Sequence, residues 1–185
     1  MSRRILWAEF FTITLRQLGS SDLDAVHALI SRMDVVRYML FPLCTREDSE
    51  RFVADSIAPP ANSPWRSIVR MILADGELVG LCGISILRGA EEGEIWYLVR
   101  PECQGRGIAT EAARQALGLG FAEFGLHRLW ATCLPENPGS ARVLEKLGMR
   151  REGLQVRNLR IHGEWKSSFL YAILEDEWRA AATSI

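Results

Sequence analysis

Apolar positions along the chain switch between alternation and a helical repeat, and each switch predicts an element. From Phe11 to Leu15 apolar and polar residues alternate, as in a half-buried strand. Gly19-Ser20-Ser21-Asp22 then offers an N-cap, after which Leu23, Val26, Leu29, Ile30 and Met33 recur at helical spacing. A second short helix is expected over Val35 to Leu40. Thr45-Arg46-Glu47-Asp48 reads as a capping box with Asp in place of Glu, opening a helix that carries Phe52, Val53 and Ile57. Ala58-Pro59-Pro60-Ala61-Asn62-Ser63-Pro64 is a loop on composition alone.

The second half is punctuated just as clearly. Ser67 to Leu73 and Leu78 to Leu87 are β-rich runs joined across Asp75-Gly76, a strong short hairpin signal. Glu94 to Val99 reads as a strand, Ile108 to Phe124 as a long helix stopped by Gly125, and His127 to Leu134 as a buried strand. Pro138 and Gly148 bracket a short helix. The remainder alternates and turns at His162-Gly163, a terminal hairpin in which Trp165 and Tyr171 are expected to pack. The order is one strand, helices, three strands, helix, strand, helix and two strands. That describes an α/β fold with a mixed, mostly antiparallel central sheet of about six to seven strands flanked by helices. No repeat, low-complexity tract or linker divides it, so residues 1–185 are read as a single domain.

Composition narrows the function classes. Apolar residues at 48% and charged ones at 24% describe a globular chain. A formal charge of −1, with no basic stripe, argues against nucleic acid as a partner. Cys44, Cys82, Cys103 and Cys133 lie far apart and read as reduced thiols of a cytoplasmic protein. The basic start Met1-Ser2-Arg3-Arg4 leads into a run broken by Glu9 with no cleavage signal, so no signal peptide is expected. No stretch reaches the ~18 uninterrupted apolar residues of a membrane span. No His/Cys cluster has ligand spacing, so no metal is expected.

The most informative segment is Gln104-Gly105-Arg106-Gly107, set between the strand ending at Val99 and the helix opening at Ile108. Gly105 and Gly107 permit positive φ and close approach of an anion. The first N–H groups of the helix, at Ile108, Ala109 and Thr110, lack intrahelical partners and sit at the positive end of the helix dipole. Together these form a candidate diphosphate cradle. The loop lacks the spacing of a nucleoside triphosphate P-loop and the third glycine of a dinucleotide fingerprint.

Gln104, Gly107 and Ala109, followed by Thr110-Glu111-Ala112, resemble the (R/Q)xxGx(G/A) signature of the GNAT superfamily of acyl-coenzyme A-dependent N-acetyltransferases. Two further blocks carry the resemblance over nearly the whole chain. Pro135 to Met149 is similar to the family's NxxSxxxxxKxGF segment, and Gly163 to Leu174 to the closing hairpin of its Rim-type branch, which contains acetyltransferases of ribosomal-protein N-termini and many small-amine relatives. The resemblance implies acetyl-CoA as co-substrate, with backbone groups of Leu98 and Val99 along its pantetheine arm and the loop from Gln104 to Thr110 at its diphosphate. Asn137, Ser140 and Arg142 are implied beside it. Ser140 corresponds to a residue proposed there as general acid; the alternative is a hydrogen bond to the departing thiolate. Glu94, grouped by alternation with Trp96 and Leu98, is the candidate base; its structural alternative is a strand-edge charge. Asn137 equally reads as a local hydrogen-bonding residue, Arg106 as a solvated charge and His127 as structural. Trp96 stands where Rim-type relatives usually carry Gly.

The implied reaction is acetyl transfer to a primary amine in a ternary complex, with a strand N–H near Leu98 facing the oxyanion. An N-terminal α-amine, with a pKa of ~8 against ~10 for a lysine-type amine, is the easier acceptor. A small-molecule amine, antibiotic or polyamine, is the alternative, and the run Glu91-Glu92-Gly93-Glu94 keeps a polycation open. A non-catalytic acyl-CoA sensor is the third reading. A homodimer is compatible with all three.

Overall fold

The computed structural model describes residues 12–183. Phe11 and the basic stretch over residues 1–7 lie outside them. Strand β1 (Ile13–Gln17) leads through a 3-10 turn into α1 (Leu23–Ile30). Asp22 closes that turn: its carboxylate accepts from the Gly19 N–H at 2.8 Å and from the Arg16 guanidinium at 2.7 Å. Val26, Leu29 and Ile30 are fully buried, as their spacing predicts. Met33 departs from the expected stripe. Arg32 adopts an extended conformation, α1 stops, and Met33 starts α2 (Met33–Val36) with half its surface exposed. The expected helix to Leu40 ends at Val36, where the chain turns instead, the Met39 N–H donating to the Val36 carbonyl at 2.8 Å.

Helix α3 (Arg46–Ile57) opens on the expected capping box. Thr45 Oγ1 accepts from the Asp48 N–H at 3.2 Å, and the Asp48 carboxylate accepts from the Thr45 N–H at 3.0 Å. Strands β2 (Trp65–Ala74) and β3 (Glu77–Leu87) turn at Asp75 and Gly76, both left-handed with φ of 50° and 88°. Then come β4 (Glu92–Val99), α4 (Ile108–Ala122), β5 (Arg128–Cys133), α5 (Pro138–Lys146), β6 (Arg150–Ile161), β7 (Glu164–Leu174) and α6 (Glu175–Thr183). Helix α6 is absent from the sequence expectation. Its acidic first turn suits a helix N-terminus. Glu177 accepts from the Leu174 N–H at 2.9 Å, and Trp178 packs on Phe121.

The seven strands form one sheet in the order β1-β2-β3-β4-β5-β7-β6, antiparallel except for β4 against β5. This is the expected α/β architecture. Helices α1 to α3 bury Val26, Leu29, Val36 and Val53 on one face, against Leu81 and Leu98. Helix α4 covers the other with Ala112, Ala113, Ala116 and Leu117. Its small residues let it lie close: a Cβ on Gly120 would stand 2.6 Å from Leu129 Cδ1. Tyr171 is buried in this core, whereas Trp165, expected to pack in the terminal hairpin, is mostly exposed. At Trp165 this strand pairs with the outer strand β6 alone, because its bonding to β5 covers only Phe169 to Leu174.

Candidate active site

Strand β4 pairs with β3 through Val99 but with β5 only from Glu92 to Glu94. Beyond Glu94 the two strands separate and open a gap in the middle of the sheet. Backbone groups of a strand point alternately to its two neighbours. The Arg100 N–H donates to Val79 and the Leu98 carbonyl faces Gly80, so the even-numbered positions of β4 are directed to β3. The Glu91 carbonyl accepts from Arg128 on β5, and Val99 faces the same way. The amides of Tyr97 and Val99 therefore turn toward the gap. The donor expected near Leu98 falls to these two neighbours, because the Leu98 backbone is directed at β3.

Two cavities meet at this gap. The first, about 460 Å³, is walled by the end of β4, the glycine loop, the start of α4 and one face of α5. Gly105 and Gly107 hold φ of 77° and 82°, and a Cβ on either would meet nothing within 4 Å. The first intrahelical bond of α4 runs from Glu111 N–H to the Gly107 carbonyl at 3.0 Å. The N–H groups of Ile108, Ala109 and Thr110 thus have no intrahelical acceptor and point out of the helix end. Gln104 is directed differently from expectation: its side-chain amide donates to the Val99 carbonyl at 2.9 Å, fastening the loop to the strand. Arg106 is exposed and lines neither cavity. Arg142 and Lys146 are the basic residues of this wall, and no acidic residue lines it. The concave surface suits an elongated anion.

The second cavity, about 480 Å³, lies between α3, the loop after it and the sheet. Its ionisable lining is the reverse: Glu94 and Asp55 are acidic, and no Arg, Lys or His is present. Burial pushes the Glu94 carboxyl above its ordinary value, and the Thr132 hydroxyl, donating at 3.3 Å, partly opposes that. Phe41, Phe52, Trp65 and Trp96 supply aromatic walls. Glu91 and Glu92 line neither cavity. Glu92 pairs with Arg128 at 3.0 Å, and Arg128 also holds Glu152 at 2.6 Å, so the acidic run contributes only Glu94.

Tyr38, Met39, Tyr97, Asn137 and Ser140 line both cavities. Asn137 caps α5, accepting from the Ser140 N–H at 3.1 Å, so its local role is real and sets the Ser140 position. The Ser140 hydroxyl lies 2.9 Å from the Tyr97 hydroxyl, which also reaches the Ser140 carbonyl at 3.2 Å. Burial is the main cause raising the Tyr97 phenol above its ordinary value, so it stays protonated and can donate. Tyr97 escaped sequence reasoning. Alternation on β4 sets it on the face opposite Glu94, and only the fold brings it to a serine 43 positions away. His127 contributes backbone bonds alone, its N–H donating to Glu91 at 2.7 Å, and lines neither cavity.

Residues 12–150 match the family described as acetyltransferase (GNAT) domain. The chain is 36% identical over 167 residues to an uncharacterized N-acetyltransferase, YnaD, of Bacillus subtilis, covering 90% of this chain and 95% of that one. It is 29% identical over 171 residues to the spermidine N(1)-acetyltransferase of Escherichia coli, covering 91% and 89%. Among solved structures, Mycobacterium smegmatis RimJ in complex with CoA-disulfide superposes with a TM-score of 0.75 at 26% identity, covering 92% of this chain and 89% of that one.

Proposed function

The chain belongs to the GNAT acetyltransferase family, and from that premise we propose that it carries the acetyl group of acetyl-CoA to a primary amine bound beside Glu94. One observation carries this reading: a cavity with basic lining and one with acidic lining meet at Ser140 and Tyr97. An anionic acyl donor and a cationic acceptor sort themselves between such cavities before any contact is made. Within the family we assign the chain to the Rim-type branch, which the RimJ likeness supports. We also assign it to the cytoplasm, since its cysteines are free. The homodimer remains the assembly to test by sedimentation.

Acetyl-CoA supplies the reactive thioester. The loop amides and Arg142 hold its diphosphate, and the amides of Tyr97 and Val99 bond its pantetheine arm and face the developing oxyanion. One well-placed donor of that kind is typically worth ~3 kcal/mol in the transition state. Glu94 removes a proton from the incoming ammonium, directly or through one water, and its raised pKa makes it a better base than an ordinary carboxylate. Ser140 donates a hydrogen bond to the departing thiolate, and Tyr97, donating in turn to Ser140, orients that hydroxyl. On proton affinity an N-terminal α-amine is the easiest acceptor; the spermidine acetyltransferase relative supports a polyamine instead.

Following free thiol with acetyl-CoA and a panel of amines tests the reaction. A protein that binds acetyl-CoA yet releases no thiol with any amine is not this enzyme. Ser140→Ala is expected to lower kcat more than coenzyme affinity; unchanged kcat removes Ser140 from the mechanism.

A further inference from the structure

The acidic residues of the acceptor cavity are few, and aromatic rings and uncharged hydroxyls make up much of the remaining lining. Glu94 is half-buried and accepts from Thr132 on β5, and Ser140 lines the same cavity. Asp55 is exposed on α3, beside Phe52. The aromatic part of the wall includes Phe41 and Phe52, whose ring centroids lie 6.4 Å apart, and Trp96. Trp96 is held over the sheet because Gly83 beneath it has no side chain; a Cβ there would stand 2.6 Å from the indole ring.

A triamine such as spermidine brings three ammonium groups at neutral pH. Glu94 and Asp55 are the two carboxylates of this wall, so a third ammonium finds no carboxylate partner in it. Desolvating an unpaired cation against aromatic and aliphatic surface is unfavourable, and cation–π attraction offsets it only in part. A polar peptide N-terminus leaves the same rings without an apolar partner. An ammonium joined to an aromatic or branched apolar body pairs with Glu94 and covers the rings of Phe41, Phe52 and Trp96, in a lining that also carries the uncharged hydroxyls of Ser56, Ser63, Ser67 and Ser85.

Resting on the proposed acetyl transfer, we propose that the acceptor is an amphiphilic amine. Its single ammonium goes to Glu94, and its apolar body lies against Phe41, Phe52 and Trp96. That chemistry has two sources, a free arylalkylamine or the first residue of a peptide that begins with an aromatic or large aliphatic side chain.

The test compares kcat/KM of the full chain, at saturating acetyl-CoA, for four acceptors: 2-phenylethylamine, a peptide beginning with Phe, the same peptide beginning with Ser, and spermidine. At least one apolar acceptor is expected to exceed both spermidine and the Ser peptide by roughly tenfold or more, the discrimination one well-buried apolar group gives. Whichever of the two apolar acceptors is faster identifies the source. Spermidine or the Ser peptide equalling or outrunning both overturns the proposal while leaving acetyl transfer intact. No thiol release from any of the four, with coenzyme still bound, overturns the underlying reaction as well. Phe52→Ala is expected to raise KM for the preferred acceptor several-fold, and by clearly more than it raises KM for spermidine. Phe52→Leu serves where the alanine variant melts too low. An equal effect on both acceptors counts against the apolar wall.

Discussion

Gly107 is where the proposed diphosphate cradle can be separated from mere turn-making. Its φ of 82° is in the left-handed region, and a Cβ built on it meets no atom within 4 Å. Gly107→Ala therefore causes no packing clash in the free protein, and its stability cost is conformational, ~1–2 kcal/mol for a non-glycine residue held left-handed. In a domain of this size each kcal/mol lowers Tm by about 2–4 °C, so the fall should be roughly 2–8 °C. Binding should suffer separately, because the new methyl projects into the open space where the anion would sit. Bending away one charge-assisted hydrogen bond loses ~1.5–3 kcal/mol, and each 1.4 kcal/mol is tenfold, giving about ten- to a hundredfold weaker acetyl-CoA binding. Gly118→Ala is the internal control. It also meets nothing within 4 Å, but it lies inside α4, where Ala is favoured by about 1 kcal/mol, so Tm should rise with binding unchanged. Calorimetric titration with acetyl-CoA alongside thermal melts reads both quantities. Should Gly107→Ala melt lower yet bind the coenzyme like the parent, the loop is a turn and nothing more.

Three further perturbations follow from named contacts. Tyr97→Phe removes the hydroxyl 2.9 Å from Ser140 Oγ and should lower kcat with little change in the KM for acetyl-CoA; its stability loss is ~1 kcal/mol, and an unaltered kcat refutes the orienting role. Glu94→Gln separates activity from stability. Burial raises the carboxyl above its ordinary 4.5, so its contribution to stability is complete below that value and is lost as pH rises through the higher folded value. The ionised form therefore weakens the fold, and above the pH at which it forms the amide variant should melt no lower than the parent, while kcat/KM drops by roughly a hundredfold or more. A full rate in that variant removes Glu94 as base. Gly83→Ala forces a methyl to 2.6 Å from the Trp96 ring and 2.7 Å from the Ile68 carbonyl, an overpacking cost of ~1–3 kcal/mol, read as a lowered Tm and a raised acceptor KM; an unchanged Tm shows that the strand can relax there.

Local chemistry made much of this protein readable from its sequence. Asp75-Gly76 and His162-Gly163 turn the chain because those residues tolerate left-handed backbone, and both do so with positive φ. Thr45 to Asp48 starts a helix because its two side chains satisfy each other's backbone donors. The strand, glycine loop and helix around Gly107 are likewise consecutive in the chain, so this candidate anion cradle could be named before the fold was known. Interactions between distant segments were not legible in this way. The neutralisation of Glu92 by Arg128, the meeting of Tyr97 with Ser140 and the docking of Trp178 on Phe121 each join segments far apart in sequence. The parting of β4 from β5 after Glu94 also depends on two strands separated by a whole helix. Sequence thus determined the elements, their turns and the donor loop, since these depend on neighbouring residues. Tertiary structure decided which carboxylate lines the second cavity, which amides face the gap and which hydroxyls meet, because those follow from how the sheet orders and opens its strands.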